Sequence, residues 1–205
     1  MNIFTFTDLH SDIASLQKIV LRVNKKDIDI VVSCGDLTNF GMKIEEVFLL
    51  LSKIKKTVLL IPGNHESDEE MNYFCNVYKN CVNINHKKFI YKNTIFVGYG
   101  DGGFVEYDPR LKLLSKQFKK YFKEFAGNKI LVLHGPPYGT KCDNRSAWFS
   151  GERFNGSKTA RTLILESKID LALCGHIHEC EGCQDMIGKT LVLNPSYKGK
   201  IIALE

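Results

Sequence analysis

The chain alternates short apolar runs, rich in β-branched and aromatic residues, with segments in which apolar residues recur every three or four positions. The first pattern is typical of buried β-strands and the second of amphipathic helices that pack on a sheet. Their alternation favours an α/β fold over an all-helical fold or an all-β sandwich. The strongest runs cover residues 3–6, 28–34, 58–61, 130–133 and 170–174, and weaker runs cover 89–91, 95–97, 191–193 and 200–204.

Helices are predicted between these strands from the spacing of apolar residues. One stripe consists of Ile13, Leu16, Val20 and Val23, a second of Ile44, Val47, Phe48 and Leu51, and a third of Ala160, Leu163 and Ile164. Ser67 and Glu70 have the spacing of a capping box, which predicts a helix start there. We expect that helix to carry Met71, Phe74 and Val77 inward.

The clearest helical pattern covers residues 111–125. Leucine and aromatic residues occupy one face, and the other carries Lys112, Lys116, Lys119, Lys120 and Lys123. Lysines on such a face either bind phosphates of a nucleic acid or simply solvate the helix opposite its buried side. The second interpretation is favoured, because a complete apolar stripe requires a polar opposite face.

Length and composition indicate one ordinary globular domain. The 205 residues are 44% hydrophobic and 25% charged, so we predict a single domain spanning residues 1–205. The net charge of +5 suits an anionic partner but does not require nucleic acid. No apolar run approaches the roughly 20 residues of a membrane span, and the first residues do not resemble a signal peptide. Seven cysteines without framework spacing favour reduced thiols and a cytoplasmic location, although Cys180 and Cys183 form half of a zinc motif.

Polar residues that can bind a metal or act in catalysis follow each of the five strong apolar runs. In chain order they are Asp8 with His10, then Asp36, then Asn64 with His65 and Glu66, then His134, and finally His176 with His178. Five of the six histidines in the chain belong to this set. Because strand ends from distant parts of an α/β sequence meet in one crevice, we expect these side chains to converge.

The converging set has the chemistry of a metal site. Carboxylate, amide and imidazole donors without thiolate suit a divalent transition metal rather than a structural zinc site. Glycines precede Asp36, Asn64 and His176, which is typical of tight turns that bring backbone close to a ligand. There are enough donors for two ions that share one ligand.

Five sequence blocks between residues 8 and 178 occur in a specific order: Asp-x-His, Gly-Asp, Gly-Asn-His-Glu, a lone His, and Gly-His-x-His. In these blocks the chain resembles the calcineurin-like metallophosphoesterase superfamily. Residues 134–141 and the pair Gly156-Ser157 are similar to its small single-domain bacterial and archaeal members. The resemblance implies an α/β fold in which two mixed β-sheets pack as a sandwich flanked by helices, with a dinuclear centre at one end.

The resemblance also implies roles for individual residues. The ligands of one metal would be Asp8, His10, Asp36 and His178, and those of the other Asp36, Asn64, His134 and His176. Asp36 would bridge two divalent ions, with Mn²⁺ expected first and Fe, Co²⁺, Ni²⁺ or Zn²⁺ as alternatives. His65 would be the catalytic residue that protonates the leaving oxygen or stabilises its charge.

Three departures from the family pattern are visible. Ser11 follows the first block where glycine is common, and Ser196 replaces glycine after Asn194-Pro195. Neither removes a ligand, so only local loop geometry is affected. In protein phosphatases a phosphate-binding Arg stands at the fourth position after the Gly-Asp aspartate, whereas this chain has Phe40. Protein phosphatase activity is therefore disfavoured.

The predicted reaction is hydrolysis of a phosphodiester or phosphomonoester by a metal-bridging hydroxide. The expected substrate is a small molecule or a nucleotide, and candidate substrate-binding residues are Asn64, Arg145, Gly156 and Ser157. Two alternatives stay open: a nuclease acting on DNA or RNA, and a non-catalytic scaffold of the same fold. The sequence does not favour either. A nuclease would normally need an added domain that grips nucleic acid, and the chain has little room for one. A non-catalytic scaffold typically lacks the catalytic histidine, whereas this chain keeps His65.

Overall fold

The computed structural model describes residues 1–101, 103–144 and 154–204, which contain eleven β-strands and five α-helices. The strands are β1 (Asn2–Phe6), β2 (Ile30–Ser33), β3 (Val58–Leu60), β4 (Cys81–Asn83), β5 (Lys88–Tyr91), β6 (Thr94–Tyr99), β7 (Asn128–Leu133), β8 (Leu171–Leu173), β9 (Gln184–Ile187), β10 (Thr190–Leu193) and β11 (Lys200–Ala203). The helices are α1 (Ile13–Lys25), α2 (Ile44–Leu51), α3 (Asp68–Val77), α4 (Pro109–Glu124) and α5 (Lys158–Ser167). No helix in this described part is long and apolar enough to cross a membrane.

The strands form two mixed sheets. The first has the order β11-β1-β2-β3-β4, in which only β11 is antiparallel to its neighbour. The second has the order β5-β6-β7-β8-β10-β9, with the antiparallel strands β5 and β9 at its edges. The central parallel strands of each sheet therefore end at one edge, where their following loops gather.

Alternation along the strands divides the core into three layers. Ile3, Ile30 and Phe96 belong to a cluster between the two sheets. Phe4, one residue further along β1, points to the other face and packs with α1, α2 and α3. A third cluster joins the outer face of the second sheet to α4 and α5. The predicted sandwich of two mixed sheets flanked by helices is confirmed.

Helix α4 shows how the lysine-rich face is accommodated. Asp108 caps the helix by accepting from the backbone N–H groups of Arg110 and Leu111, and Pro109 occupies the first turn. Phe118 and Phe122 are fully buried against the second sheet. On the polar side Lys119 forms an ion pair with Glu166 of α5.

Three local expectations need correction. Val77 is 53% exposed rather than buried, because α3 ends there and Tyr78 turns the chain into extended conformation. Strands β4 and β9 were not predicted: β4 has only three residues, and β9 begins with polar Gln184 and Asp185. The bounds of the other strands lie within two residues of those predicted.

A buried asparagine network ties α3 to the first sheet. Asp68 Oδ1 accepts from the side-chain amides of Asn83 and Asn85, both buried, at 2.9 and 3.1 Å. Asp68 Oδ2 accepts from Asn72 at 3.0 Å. Partial burial raises the pKa of Asp68, but these three amides outweigh it and hold the pKa below its ordinary value.

Asp68→Ala is expected to destabilise the protein by about 1–3 kcal/mol at pH 7, since it leaves buried amide donors without an acceptor. A carboxyl whose pKa is lowered by folding stabilises above its unfolded pKa, and that contribution is lost as the pH falls. The destabilisation should therefore shrink at pH 3, as measured by urea unfolding at both pH values. Glu69→Ala, at the neighbouring exposed position, is the control. Equal destabilisation by Asp68→Ala at both pH values would contradict this role.

Candidate metal centre and active site

The site lies where the carboxyl ends of the central strands of both sheets meet. The loops after β1, β2 and β3 of the first sheet supply Asp8 and His10, Asp36, and Asn64. The loops after β7 and β8 of the second sheet supply the remaining imidazoles, those of His134, His176 and His178. The structure thus brings together all seven residues that the sequence analysis proposed as metal ligands.

One group of candidate ligands consists of Asp8, His10 and His178, whose donor atoms lie within 4.8 Å of one another. The Nε2 atoms of His10 and His178 are 2.9 Å apart. His178 is half-exposed at the rim, whereas Asp8 is buried and accepts from the backbone N–H of His176 at 3.0 Å. Two imidazole nitrogens facing each other at this distance, beside a carboxylate, are disposed to share a cation.

A second group consists of Asp36, His134 and His176. The fully buried His134 has its Nδ1 2.9 Å from the carbonyl oxygen of Cys34, which fixes Nδ1 as the donor and leaves Nε2 facing the site. Nε2 of His134 lies 3.0 Å from Asn64 Oδ1. The amide oxygen of Asn64 therefore belongs to this second group.

Asp36 lies between the two groups. Its Oδ2 is 3.7 Å from Nε2 of His10 on one side and 3.4 Å from Nε2 of His134 on the other. Only 2% of the Asp36 side chain is exposed. Asp36 belongs to two of the candidate ligand groups, one with His134 and His176 and one with His10 and His65, so it has the position of a shared ligand.

The electrostatics of the site are those of buried acids facing imidazoles. Burial raises the pKa of Asp8, and the nearby charge of Asp36 adds to this effect. Burial alone would raise the pKa of Asp36 as well, but the hydrogen bond and charge of His134 and the charges of His65 and His10 hold it below its ordinary value. Conversely, burial would lower the pKa of His134, yet Asp36 and Asp8 raise it to about 8.

Backbone strain is concentrated in these loops. Asp8, His10, Asp36 and His176 all have positive φ, at 52°, 45°, 51° and 70°. Non-glycine residues rarely adopt this conformation, and where they do the strain is frequently part of a functional site. The four proposed ligands therefore hold their positions at a conformational cost.

The glycines that precede the ligands allow close approach. A Cβ on Gly63 would lie 2.0 Å from Asp36 Oδ1, and one on Gly175 would lie 1.9 Å from Thr7 Oγ1. Gly35 instead has φ of 98°, a conformation that a side chain would strain. Gly63 and Gly175 thus allow backbone to lie in close contact with neighbouring side chains.

A family model for calcineurin-like phosphoesterases matches residues 1–180. The chain belongs to this family. Protein MJ1162 of Methanocaldococcus jannaschii is 33% identical over 209 residues, covering 98% of this chain and 91% of that protein.

Solved structures share the fold of this calcineurin-like phosphoesterase. TT1561 of Thermus thermophilus superposes with a TM-score of 0.74 at 18% identity, over 95% of this chain and 88% of that one. A structure described as a dimetal phosphatase from Danio rerio has a TM-score of 0.65 at 12% identity, over 94% and 86%. The recognition of the family from its five sequence blocks is confirmed.

The residues of this calcineurin-like phosphoesterase fit the divalent metal on which the family depends. Asp8 and Asp36 are nearly buried, and in the described chain their ion pairs are all to histidines rather than to Lys or Arg. Carboxylate, imidazole and amide donors of this kind suit a transition metal with open coordination positions. The two buried carboxylates thus have no permanently charged cation beside them in the described chain. A bound metal ion would stabilise such an arrangement.

His65 and Glu66 have separate places beside these ligands. His65 Nε2 lies 3.8 Å from Asp36 Oδ2, so the imidazole faces the site. Glu66 accepts from the backbone N–H of Thr38 at 2.7 Å and from that of Gly63 at 3.0 Å. Burial raises the pKa of the Glu66 carboxyl. Glu66 thus fastens the loop after β2 to the loop after β3, while the His65 imidazole lies beside Asp36.

Of the candidate substrate residues that the structure describes, Asn64 lines the pocket at the candidate ligands, whereas Gly156 and Ser157 do not. The side chain of Ser157 caps α5 by accepting from Ala160 N–H at 3.1 Å, and its backbone N–H donates to the carbonyl of Pro136. Gly156 lies against Pro136 and Asp143. Arg145 lies outside the described residues. Ordinary N-capping therefore accounts for Ser157.

Two aromatic residues at the site were missed as site residues. Phe104 lines the pocket, with its ring centroid 4.2 Å from that of His176. Phe40 stacks on His65 with centroids 4.0 Å apart. The sequence analysis considered Phe40 only because arginine is absent at that position. For Phe104, the preceding glycines were the sequence signal that indicated a sharp turn.

The two serines that depart from the family pattern adopt the glycine conformation. Ser11 has φ of 63° and Ser196 has φ of 68°. The hydroxyl of Ser11 donates to Met42 O at 2.6 Å and accepts from Asn39 N–H at 2.9 Å. Ser11 therefore links the loop after β1 to the loop after β2 through hydrogen bonds of its hydroxyl, which glycine lacks.

Proposed function

We propose that this protein is a dinuclear metal-dependent hydrolase of phosphate esters, acting on a phosphodiester or phosphomonoester of a small molecule or nucleotide. The observation that carries the proposal is the position of Asp36 between two groups of imidazole and carboxylate donors. One domain, built from both sheets across residues 1–205, would carry the activity. The free cysteines, five of them buried, are consistent with a cytoplasmic protein.

Two divalent ions would be held by the seven predicted ligands, with Asp36 shared. When bound, such ions would lower the pKa of the attacking water and neutralise charge on the phosphoryl oxygens. We propose Mn²⁺ as the activating ion, with Fe, Co²⁺, Ni²⁺ and Zn²⁺ to be compared. The description of the Danio rerio neighbour as a dimetal phosphatase supports two ions in this fold.

The protein residues position the ester and transfer the proton. Asn64 offers its amide at the exposed side of the site, beside His134. The attacking water would give up one proton to bulk solvent as its oxygen bonds to phosphorus, while the bond from phosphorus to the leaving oxygen breaks. His65 donates its Nε2 proton to that leaving oxygen, which a general acid must do for a poor leaving group.

The experiment is a parallel hydrolysis assay. The metal-depleted protein is reconstituted with Mn²⁺, Fe²⁺, Co²⁺, Ni²⁺ or Zn²⁺ and offered an aryl phosphodiester and the matching phosphomonoester. We expect turnover of at least one ester only after metal is restored. Turnover that persists in the fully depleted protein, or that never occurs with any of the metals, would refute the proposal.

A nuclease is the second candidate, favoured by one observation. A groove of ≈ 660 Å³ between α4 and α5 is lined by Lys112, Lys116, Lys119 and Lys158. However, Lys119 is paired with Glu166 and Lys158 with Glu106, so part of this charge is already neutralised. The groove is also separate from the pocket that His65 lines.

Replacing Lys112, Lys116 and Lys120 with Gln is expected to leave hydrolysis of a small phosphodiester unchanged. The solvated face of an amphipathic helix needs polar residues, not a particular charge. We expect weak DNA binding at physiological salt, measured by fluorescence anisotropy across a salt series. A tight complex that these substitutions weaken, with each lost phosphate contact lowering the salt slope by about 0.9, would favour the nuclease instead.

A further inference from the structure

The imidazole of the proposed general acid is not held in place by hydrogen bonds of its own. The backbone N–H of His65 donates to Asp36 Oδ1 at 3.1 Å, which fixes the main chain but not the side chain. Within the described chain the buried Nδ1 of His65 has no hydrogen-bond partner. Its Nε2 is 3.8 Å from Asp36 Oδ2, beyond hydrogen-bond distance. The direction of this imidazole is therefore set by the groups packed against it.

Two rings pack against the imidazole of His65. Phe40 lies over one of its faces, with centroids 4.0 Å apart and ring planes inclined by 30°. His10 meets it in an edge-to-face arrangement, with centroids 4.7 Å apart and planes at 74°. Only 16% of the His65 side chain is exposed, whereas Phe40 is 74% exposed. Phe40 therefore lies on the solvent side of His65.

A phenylalanine at position 40 contributes little to the fold by itself. Most of its ring stays in water, so the hydrophobic gain of burying it is largely absent. Its φ is 52°, in the left-handed region that bulky residues rarely occupy. Among the ring contacts in the described part of the chain, Phe40 makes one, and that is with His65. This contact is the feature of Phe40 that a function would use.

The loops that carry the two rings are tied to each other beside the stack. Glu66, the residue after His65, accepts from the backbone N–H and the hydroxyl of Thr38 at 2.7 and 2.8 Å. Thr38 lies two residues before Phe40, and its hydroxyl accepts from the backbone N–H of Gly41 at 3.1 Å. Because each ring is anchored through a residue next to it or close to it, the two rings keep their relative position.

Ser11 fixes the same loop from another direction. Its hydroxyl accepts from the backbone N–H of Asn39 at 2.9 Å and donates to the carbonyl oxygen of Met42 at 2.6 Å. These two residues lie on either side of Phe40 in the sequence. The bonds therefore hold the Phe40 backbone in its strained conformation, and the exposed ring has a defined position.

We propose that Phe40 is a positioning residue for His65: its ring covers the outer face of the imidazole and holds Nε2 toward the leaving oxygen of the ester. This inference rests on the proposed hydrolase function and adds a residue to it. Phe40 is absent from the described lining of the pocket, so it acts through His65 and not by contact with the substrate. Without the ring, the imidazole would adopt other orientations, and a smaller fraction would be aligned for proton transfer.

The test uses phenyl and p-nitrophenyl esters of the class that the hydrolysis assay identifies. Only the phenolate of the phenyl ester needs a proton to leave. In the metal-reconstituted protein, Phe40→Ala should lower kcat for the phenyl ester by about 3- to 10-fold, the range of one aromatic contact, with KM unchanged. The p-nitrophenyl ester should be turned over at nearly the wild-type rate. Phe40→Tyr keeps the stacked ring and should keep wild-type activity on both esters.

Met42→Ala is the matched control. Met42 lies two residues further along the same loop and is 57% exposed, so its truncation reports on a general disturbance of the loop. Both esters should be turned over by this variant at the wild-type rate. A Phe40→Ala loss that is equal for the two esters, or one that Met42→Ala reproduces, would overturn the assignment of Phe40.

Combining two substitutions decides whether Phe40 acts through His65. In a His65→Gln background, Phe40→Ala should not slow the phenyl ester further, because the group that Phe40 positions is already missing. A further loss of the same size as in the wild-type background would show that Phe40 acts independently of His65, and would refute the positioning role.

Proton NMR tests the stack without turnover and without metal. The Cε1–H resonance of His65 in the metal-depleted protein is identified by its absence from His65→Gln. A proton over the face of an aromatic ring is shifted upfield, so Phe40→Ala should move this resonance downfield while Met42→Ala leaves it in place. A resonance that Phe40→Ala does not move would contradict the stack. If no ester is hydrolysed with any metal, the proposed function fails. If esters are hydrolysed and the Phe40→Ala effect ignores the leaving group, only this inference fails.

Discussion

Asp36→Asn is expected to release bound metal and to lower phosphoesterase activity by roughly 10³-fold or more, since a shared metal ligand supports several kcal/mol of transition-state stabilisation. An asparagine oxygen carries no net charge and cannot neutralise two cations as a carboxylate does. Asp36 also holds His65 by accepting from its backbone N–H at 3.1 Å. Metal content and turnover are measured on the same reconstituted preparation.

Asp29→Asn is the control for this substitution. Asp29 lies just before β2, at the opposite end of the strand from Asp36, and pairs with Lys92 at 2.5 Å. The Asp29→Asn protein should keep both its bound metal and its phosphoesterase activity. An Asp36→Asn protein that is folded, retains two ions and turns over at the wild-type rate would show that the bridge has been assigned to the wrong residue.

His65→Gln is expected to slow turnover of a substrate with a poor leaving group by roughly 10²–10⁴-fold, the usual contribution of a general acid. Metal content should stay near the wild-type value, because His65 is not among the seven proposed ligands. With a good leaving group, which departs without a proton, the loss should be much smaller. Comparing phenyl and p-nitrophenyl esters therefore separates proton donation from simple damage to the site.

His86→Gln is the matched histidine control. His86 is the sixth histidine, paired with Asp101 at 2.8 Å and absent from the pocket lining. Its substitution should not produce a difference between the two esters. If His65→Gln slowed both esters equally, or lost metal along with activity, His65 would act as a ligand or a structural residue and not as the acid.

Much of the fold was predictable because its signals are local. Buried strands in the middle of each sheet must be continuous apolar runs, and helices that cover a sheet must show an apolar stripe, so both patterns are readable in sequence. The capping box at Ser67 and Glu70 is a contact within one turn, and the structure contains it as predicted. Strands β4 and β9 were missed because a three-residue strand or a half-polar edge strand has too little pattern.

The site was predictable to the extent that chain topology dictates it. Residues that follow the central strands, such as Asp8, Asp36 and His134, are brought to one edge wherever the sheet forms. Phe40 and Phe104 could not be placed this way, because their contacts with His65 and His176 depend on how irregular loops fold. The Ser11 and Glu66 bonds that fasten the Phe40 loop are likewise long-range and leave no periodic signal.

The number of metal ions bound per chain tests the dinuclear centre most directly. The protein is depleted of metal, reconstituted with Mn²⁺, separated from free ions and analysed for metal and protein. We predict close to two ions per chain for the wild type, as a two-metal site requires, and clearly fewer for Asp36→Asn. Well under one ion per wild-type chain, in protein that is folded, would contradict the dinuclear centre.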